Sequence, residues 1–278
     1  MKFFDDEVNN PNRIFGLDLM RSTAILFVLF SHLLTLVIFN DAKNTLSQIP
    51  TALGIVGVEI FFVLSGYLIG SIIIKKFNED EGFKFKKIKE FLIRRWFRTL
   101  PLYYIMIIIG ILYFTFLYEV PPEGTIFRII RTYMPFVQNF ISAHPIFFPV
   151  AWSLAIEEWF YLLFPLTLFI VFSLNKKNKY KSLLYAILFF ICVSLIFRIY
   201  LASIPSTFNW DEYFRKIVIY RLDGIAYGVI GAFIFYYHKE SFFKNMKTKA
   251  IIGLILFSVC AYILLNYLSD HMQLDFFM

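Results

Sequence analysis

Charge is scarce in this sequence. Of its 278 residues 17% are Asp, Glu, Lys or Arg, against about 25% in an ordinary soluble domain. With 59% hydrophobic residues and a mean hydropathy of +0.67, the chain holds too few charges to cover its apolar surface in water. Its 21% aromatic content excludes disorder, and 12 glycines exclude a collagen-like repeat. Cysteine is nearly absent. Cys192 and Cys260 both lie inside apolar runs, read as small hydrophobes, and define no disulfide or metal framework. No metal is expected. The first twenty residues hold Asp5, Asp6, Glu7, Arg13 and Asp18 but no apolar stretch ahead of the first span. A cleavable signal peptide is therefore not expected, and the first span itself serves as the insertion signal. What remains is an all-α polytopic membrane protein.

Seven stretches are long and apolar enough to cross a bilayer, which takes about 20 helical residues. They run approximately 22–40, 52–74, 101–118, 152–174, 183–202, 218–237 and 250–268. The net charge of +7 lies in short blocks between them, which reads as topology and not as a nucleic-acid surface. Lys2, Arg13, Arg21 and the blocks Lys75–Arg98, Lys176–Lys181 and Lys239–Lys249 hold 20 of the 27 basic residues on one side. The positive-inside rule makes that side, and the N-terminus, cytoplasmic. The segment 119–150 then faces outward.

Ionisable groups within spans are costly and each is a functional hypothesis. Here they are His32, Glu59, Glu157, Glu158, Arg198, Arg221 and Asp223. Counted from the span ends, His32 lies near mid-membrane and the others in the outer half. This predicts a polar cavity open to the outside with His32 at its floor. Arg21 and His32 are eleven residues apart, close to three helical turns, so they share a face at a separation of about 16 Å. Asp18 lies one turn before Arg21. A histidine titrates near neutrality and suits general-base chemistry. Which carboxylate orients it is open among Asp18, Glu59, Glu157, Glu158 and Asp223.

Arg95 and Arg98 are three residues apart in a cationic, aromatic stretch on the cytoplasmic side, and their guanidinium groups suit phosphates. The competing reading is an anchor to anionic lipid. Gly54, Gly57, Ser65, Gly66 and Gly70 suit close helix packing. Trp152 reads as an interfacial anchor, and His144, His238 and His271 as solvated.

These residues fall in a familiar order. Arg13-Ile-Phe-Gly-Leu-Asp18-Leu-Met-Arg21 runs on to His32. Gly57-Val-Glu59 leads to Ser65-Gly66-Tyr67. Arg94-Arg95-Trp-Phe-Arg98 precedes Pro101. Then come Trp152-Ser-Leu-Ala-Ile-Glu157-Glu158 and Tyr220-Arg221-Leu-Asp223-Gly224. Five such elements in sequence resemble the membrane-bound acyltransferase-3 family, the O-acyltransferases of bacterial surface polysaccharides. The resemblance implies that His32 is catalytic with Arg21, and that Glu157 and Glu158 are required for activity. It implies that Arg95 and Arg98 contact acyl-CoA, and that Glu59, Ser65, Tyr67, Trp152, Arg221 and Asp223 serve the acceptor. Glu59 stands where relatives often carry Asp.

The expected reaction is transfer of an acyl group, acetyl by preference, from acyl-CoA to a hydroxyl of a surface polysaccharide or lipid-linked sugar. The expected setting is the bacterial cytoplasmic membrane. The donor would enter from inside and the acceptor from outside, with His32 where the paths meet. Relatives usually have about ten spans, so residues 1–278 read as one acyltransferase-3-like domain incomplete at its C-terminal end. Two other classes compete: a truncated inactive membrane subunit, and a small-molecule transporter, which should show inverted halves that the sequence does not display.

Overall fold

The structure, a computed structural model, describes residues 15–38, 48–79, 85–118, 126–174, 178–203 and 210–271. Lys2, Asp5, Asp6, Glu7, Arg13 and Lys176, all used in reading the sequence, lie outside the described residues. The described elements are helical: α1 (Phe15–Ile38), α2 (Gln48–Glu79), α3 (Phe85–Tyr118), α4 (Ile126–Tyr133), α5 (Trp152–Leu174), α6 (Lys179–Ala202), α7 (Val218–Tyr237), α8 (Lys239–Phe243) and α9 (Met246–His271). A 3-10 turn, Pro149–Ala151, leads into α5, and a π turn, Asp211–Arg215, precedes α7.

Seven of these helices are long and apolar enough to cross a membrane, matching the seven expected spans. The protein is an all-α, multi-pass membrane protein. The largest departure from the sequence reading is α3. It is continuous for 34 residues, beginning sixteen residues before Pro101. Pro101 lacks the amide that would bond the Phe97 carbonyl, yet the helix runs through it. The cationic stretch is therefore the first half of a long helix and not a connector beside the membrane. α6 starts where the side chain of Asn178 accepts from the Lys181 amide at 2.9 Å, closing an open helix end.

The chain divides into two units, residues 1–64 with 238–278, and residues 65–237. In the first, α1 meets the N-terminal part of α2 at close range. A Cβ on Gly57 would lie 3.0 Å from the Ala24 carbonyl oxygen and 2.8 Å from the Val28 side chain. None of the described side chains of α9 is buried.

In the second unit α5, α6 and α7 pack on one another, and α3 packs on α5. Phe160 stacks on Phe164 at 5.2 Å and meets Phe190 at 5.1 Å, filling the α5–α6 seam. The C-terminal part of α2 lies against α7 backbone to backbone. A Cβ on Gly66 would sit 1.9 Å from the Ile225 carbonyl oxygen. At the far end of that seam Tyr237 donates to Asn78 Oδ1 at 2.9 Å. The Ser-Gly-Tyr element is thus, in its glycine, a packing device. It presses Ser65 into the interior of the unit.

Candidate active site

Three helices of the second unit converge on one polar centre. Arg95 of α3 donates from Nη2 to the hydroxyl of Tyr161 at 2.7 Å, and its guanidinium lies over that ring, 4.4 Å from the centroid. The Tyr161 hydroxyl donates to Glu157 Oε2 at 2.6 Å, one turn back on α5. Arg95 Nη2 lies 3.7 Å from the same carboxylate oxygen. Ser65 of α2 donates to Glu157 Oε2 at 3.3 Å and is hydrogen-bonded to the Tyr161 hydroxyl. Beside this network Thr99 donates to Glu158 Oε1 at 2.9 Å. Glu158 is 4% exposed.

The pairing is incomplete in two places. Arg95 Nε and Glu158 Oε2 are buried and make no hydrogen bond among the described residues. Leaving such groups unpaired costs about 1–3 kcal/mol each, and more when charged. A donor and an acceptor therefore stand ready for a ligand in the same centre.

This geometry corrects two expectations. Arg95 and Glu157 were placed at opposite faces of the membrane, and they are in contact. Depth had been counted from the ends of apolar runs, whereas α3 is helical from Phe85 and carries Arg95 ten residues inward. Arg95 and Arg98 also do not act as one exposed pair: Arg95 turns inward and Arg98 is exposed. Three residues differ by 300° on a helix, enough to put one side chain inside the packing edge and the other outside it.

The other expected residues lie elsewhere. Asp223 is buried, pairs with Arg198, and donates its backbone N–H to Ser194 Oγ of α6 at 3.3 Å. Arg221 is its half-buried neighbour on α7. Tyr67 is half-buried with its ring 6.3 Å from that of Phe235 on α7. Trp152 is not an interfacial anchor. It is buried under the guanidinium of Arg215 at 4.5 Å, because the segment before α7 folds over the start of α5. In the first unit Arg21 bonds Asp18 at 3.2 Å, as their spacing implied, and Glu59 is half-buried on α2. His32 is exposed, and within its own unit no described carboxylate is hydrogen-bonded to it.

Several residues of consequence carried no assignment. Tyr161 had a usable signal, four residues after Glu157 and so on the same helix face. Asn139 had none. It is fully buried and its amide nitrogen donates to the carbonyls of Trp152 at 3.1 Å and Lys216 at 2.6 Å, tying residues 136–140 to α5 and to the start of α7. Asp211 binds both Arg215 and Lys216. Burial alone would raise its carboxyl, but the two cations outweigh that and hold it below the ordinary value. His144 is also not solvated as expected: its Nε2 is buried and its imidazole is pushed down to about 4, chiefly by burial.

A cavity of about 750 Å³ is lined by residues of 128–146 together with Leu201, Tyr213, Ile217 and Tyr220, and none of the expected site residues is among the described residues that line it.

An all-α membrane protein in which a guanidinium, a tyrosine and two carboxylates meet among three packed helices of one unit has the equipment of an enzyme. A family model described as an acyltransferase domain matches residues 14–278. The chain belongs to the acyltransferase-3 family. It is 32% identical over 175 residues to the peptidoglycan O-acetyltransferase OatA of Listeria monocytogenes, covering 59% of this chain and 25% of the relative. It is equally similar, over the same shares, to the putative peptidoglycan O-acetyltransferase YrhL of Bacillus subtilis. With the O-acetyltransferase OatA of Staphylococcus aureus it shares 31% identity over 271 residues, 91% of this chain and 40% of the relative. The chain thus spans a quarter to two-fifths of the length of these relatives. No solved structure matches it.

Proposed function

We propose that the chain transfers an acetyl group from acyl-CoA to a hydroxyl of a cell-wall saccharide, acting in the bacterial cytoplasmic membrane. Family membership and the names of the O-acetyltransferase relatives support the reaction class. The observation that carries the donor reading is that Arg95 Nε and Glu158 Oε2, on side chains of one polar centre, each make no hydrogen bond among the described residues. A pantetheine arm presents amides, each with one carbonyl acceptor and one N–H donor, which is the complement of that pair. Arg98, exposed on the same helix, would meet the phosphates. Tyr161 and Glu157 hold Arg95 in place.

His32 is the proposed base. Its imidazole takes the proton of the acceptor hydroxyl as the oxygen attacks the thioester carbonyl carbon. The C–S bond breaks, and the imidazolium returns the proton to the departing thiolate. The saccharide acceptor follows from the relatives' names and would arrive on a lipid carrier.

The test is thiol release from acetyl-CoA by the purified chain in nanodiscs, with and without a saccharide acceptor. Acceptor-dependent release that Arg95→Lys abolishes, with Arg98→Ala raising KM for acetyl-CoA, is the expected result. Absence of thiol release above the protein-free rate would overturn the reading.

A further inference from the structure

The cavity lined by residues of 128–146 with Leu201, Tyr213, Ile217 and Tyr220 has a volume of about 750 Å³, within the range of small-molecule sites. Its most telling wall residue is Gln138. The side chain is 3% exposed, lines the cavity, and neither its Nε2 nor its Oε1 makes a hydrogen bond among the described residues. The Gln138 side chain approaches the Tyr103 hydroxyl, which itself donates to the Tyr133 carbonyl at 2.9 Å.

Gln138 is also held rigidly. Helix α4 ends with Phe136 N–H on the Tyr133 carbonyl at 3.2 Å and Val137 N–H on the Thr132 carbonyl at 2.9 Å. This termination places a left-handed residue where glycine is usual. Phe136 fills that place at φ 58°, with its ring stacked on Tyr103 at 4.5 Å. On the other side Asn139 is bonded through its side chain to Trp152 and Lys216, and through its carbonyl to the Val218 amide at 3.0 Å. Trp159 of α5 donates to the Phe136 carbonyl at 2.9 Å. The cavity wall is therefore anchored to α5 at residues 152 and 159, on either side of Glu157 and Glu158.

We infer that this cavity is a saccharide-binding site, with the Gln138 carboxamide as its central hydrogen-bonding group. A carboxamide offers both a donor and acceptors, which suits hydroxyl and N-acetyl groups. Tyr213 and Tyr220 add aromatic rings suited to the apolar faces of a sugar, and Ser142 adds a hydroxyl. Among the described residues Arg128 lines the cavity and no Asp or Glu does, so it does not suit a cationic ligand. An apolar occupant would leave Gln138 unpaired. The choice of a saccharide over other neutral polar ligands rests on the function proposed above.

The test uses the full chain in nanodiscs, with the tetrasaccharide of N-acetylglucosamine as probe and titration calorimetry as readout. Gln138→Leu and Ser142→Trp should each weaken binding about tenfold or more, the worth of roughly one lost hydrogen-bonding group. Gln138→Leu should at the same time keep or raise the melting temperature, since it removes a buried unpaired group. A residue with a merely structural role would show the reverse. Saturable binding that both variants leave within twofold of wild type would overturn the inference, as would absence of saturable binding to wild type. Thiol release is measured on the same preparations. Acetyl transfer to the tetrasaccharide with binding unmoved by the variants sinks the cavity and keeps the enzyme. Binding through Gln138 with no acetyl-CoA cleavage keeps the cavity and sinks the enzyme.

Discussion

Arg95 meets Tyr161 twice, donating to its hydroxyl at 2.7 Å and lying over its ring at 4.4 Å. The contact orients a cation between α3 and α5 and leaves its Nε buried. Truncating it leaves Glu157 without its countercharge. Arg95→Ala should lower stability by about 1.5–3 kcal/mol, the scale for a hydrogen bond to a charged group. Arg98→Ala, at an exposed position, should change it by less than about 0.5 kcal/mol. Tyr161→Phe keeps the ring contact and loses the hydroxyl, so a cost of about 1 kcal/mol is expected. Thermal unfolding in one detergent ranks the three, and an Arg98→Ala loss equal to that of Arg95→Ala would refute the inward placement.

Gly66 tests the seam between α2 and α7. A Cβ there would meet the Ile225 carbonyl oxygen at 1.9 Å, and backbone cannot rotate away as a side chain can. Gly66→Ala should cost stability at the upper end of the overpacking range, about 3 kcal/mol. Gly253 on α9 has nothing within 4 Å of the same atom. Gly253→Ala should stabilise the helix by about 0.8–1 kcal/mol. Equal effects at the two sites would contradict the close approach.

His144 gives stability a pH dependence. Burial is the main cause of its low value of about 4, against an ordinary 6.5. Between those values the unfolded chain binds a proton that the folded chain refuses, so stability falls as pH falls. The slope is at most about 1.4 kcal/mol per pH unit. Above pH 6.5 both states are neutral and the effect vanishes. Asp211 works in a lower window: its carboxyl is held below the ordinary value, so its contribution is lost only as pH falls beneath the usual carboxylate range. Unfolding measured from pH 7.5 to 4.5 should show the slope in wild type and its loss in His144→Asn. A slope unchanged in the variant would assign it to other groups.

The spans were legible because each is a long apolar run and lipid allows few alternatives to a helix. The identity of the polar residues was legible for the same reason: Glu157, Glu158 and Asp223 stand out against an apolar background. Their partners were not. That Arg95 reaches Glu157 depends on where α3 begins, and nothing apolar marks Phe85 as that point. Gln138 and Asn139 lie in a segment with no helical period, between Pro135 and Pro145, where only the folded chain shows which amide is bonded and which is not. The distinction between Arg95 and Arg98 is a matter of helix rotation, which two adjacent charges do not reveal.

His32 is the last and most direct test of the proposed chemistry. It is exposed, and within its own unit no described carboxylate is bonded to it, so its replacement should disturb stability by no more than about 0.5 kcal/mol. A base reached by a diffusing hydroxyl needs to be accessible, and exposure is consistent with that need. Loss of a general base typically lowers rate by about 10²–10⁴. His32→Ala should therefore lose transfer while keeping the melting temperature. His32→Gln retains a hydrogen-bonding side chain but takes up no proton at neutral pH, so it should be as inactive as the alanine variant. Acetyl-CoA binding should survive both, because the donor contacts are proposed at Arg95, Arg98 and Glu158 and not at His32. Transfer by either variant above about a tenth of the wild-type rate is too fast for a missing base and would remove His32 from that role. Lost donor binding would instead make it a contact for acyl-CoA. The split between intact binding and absent turnover is what identifies a proton acceptor.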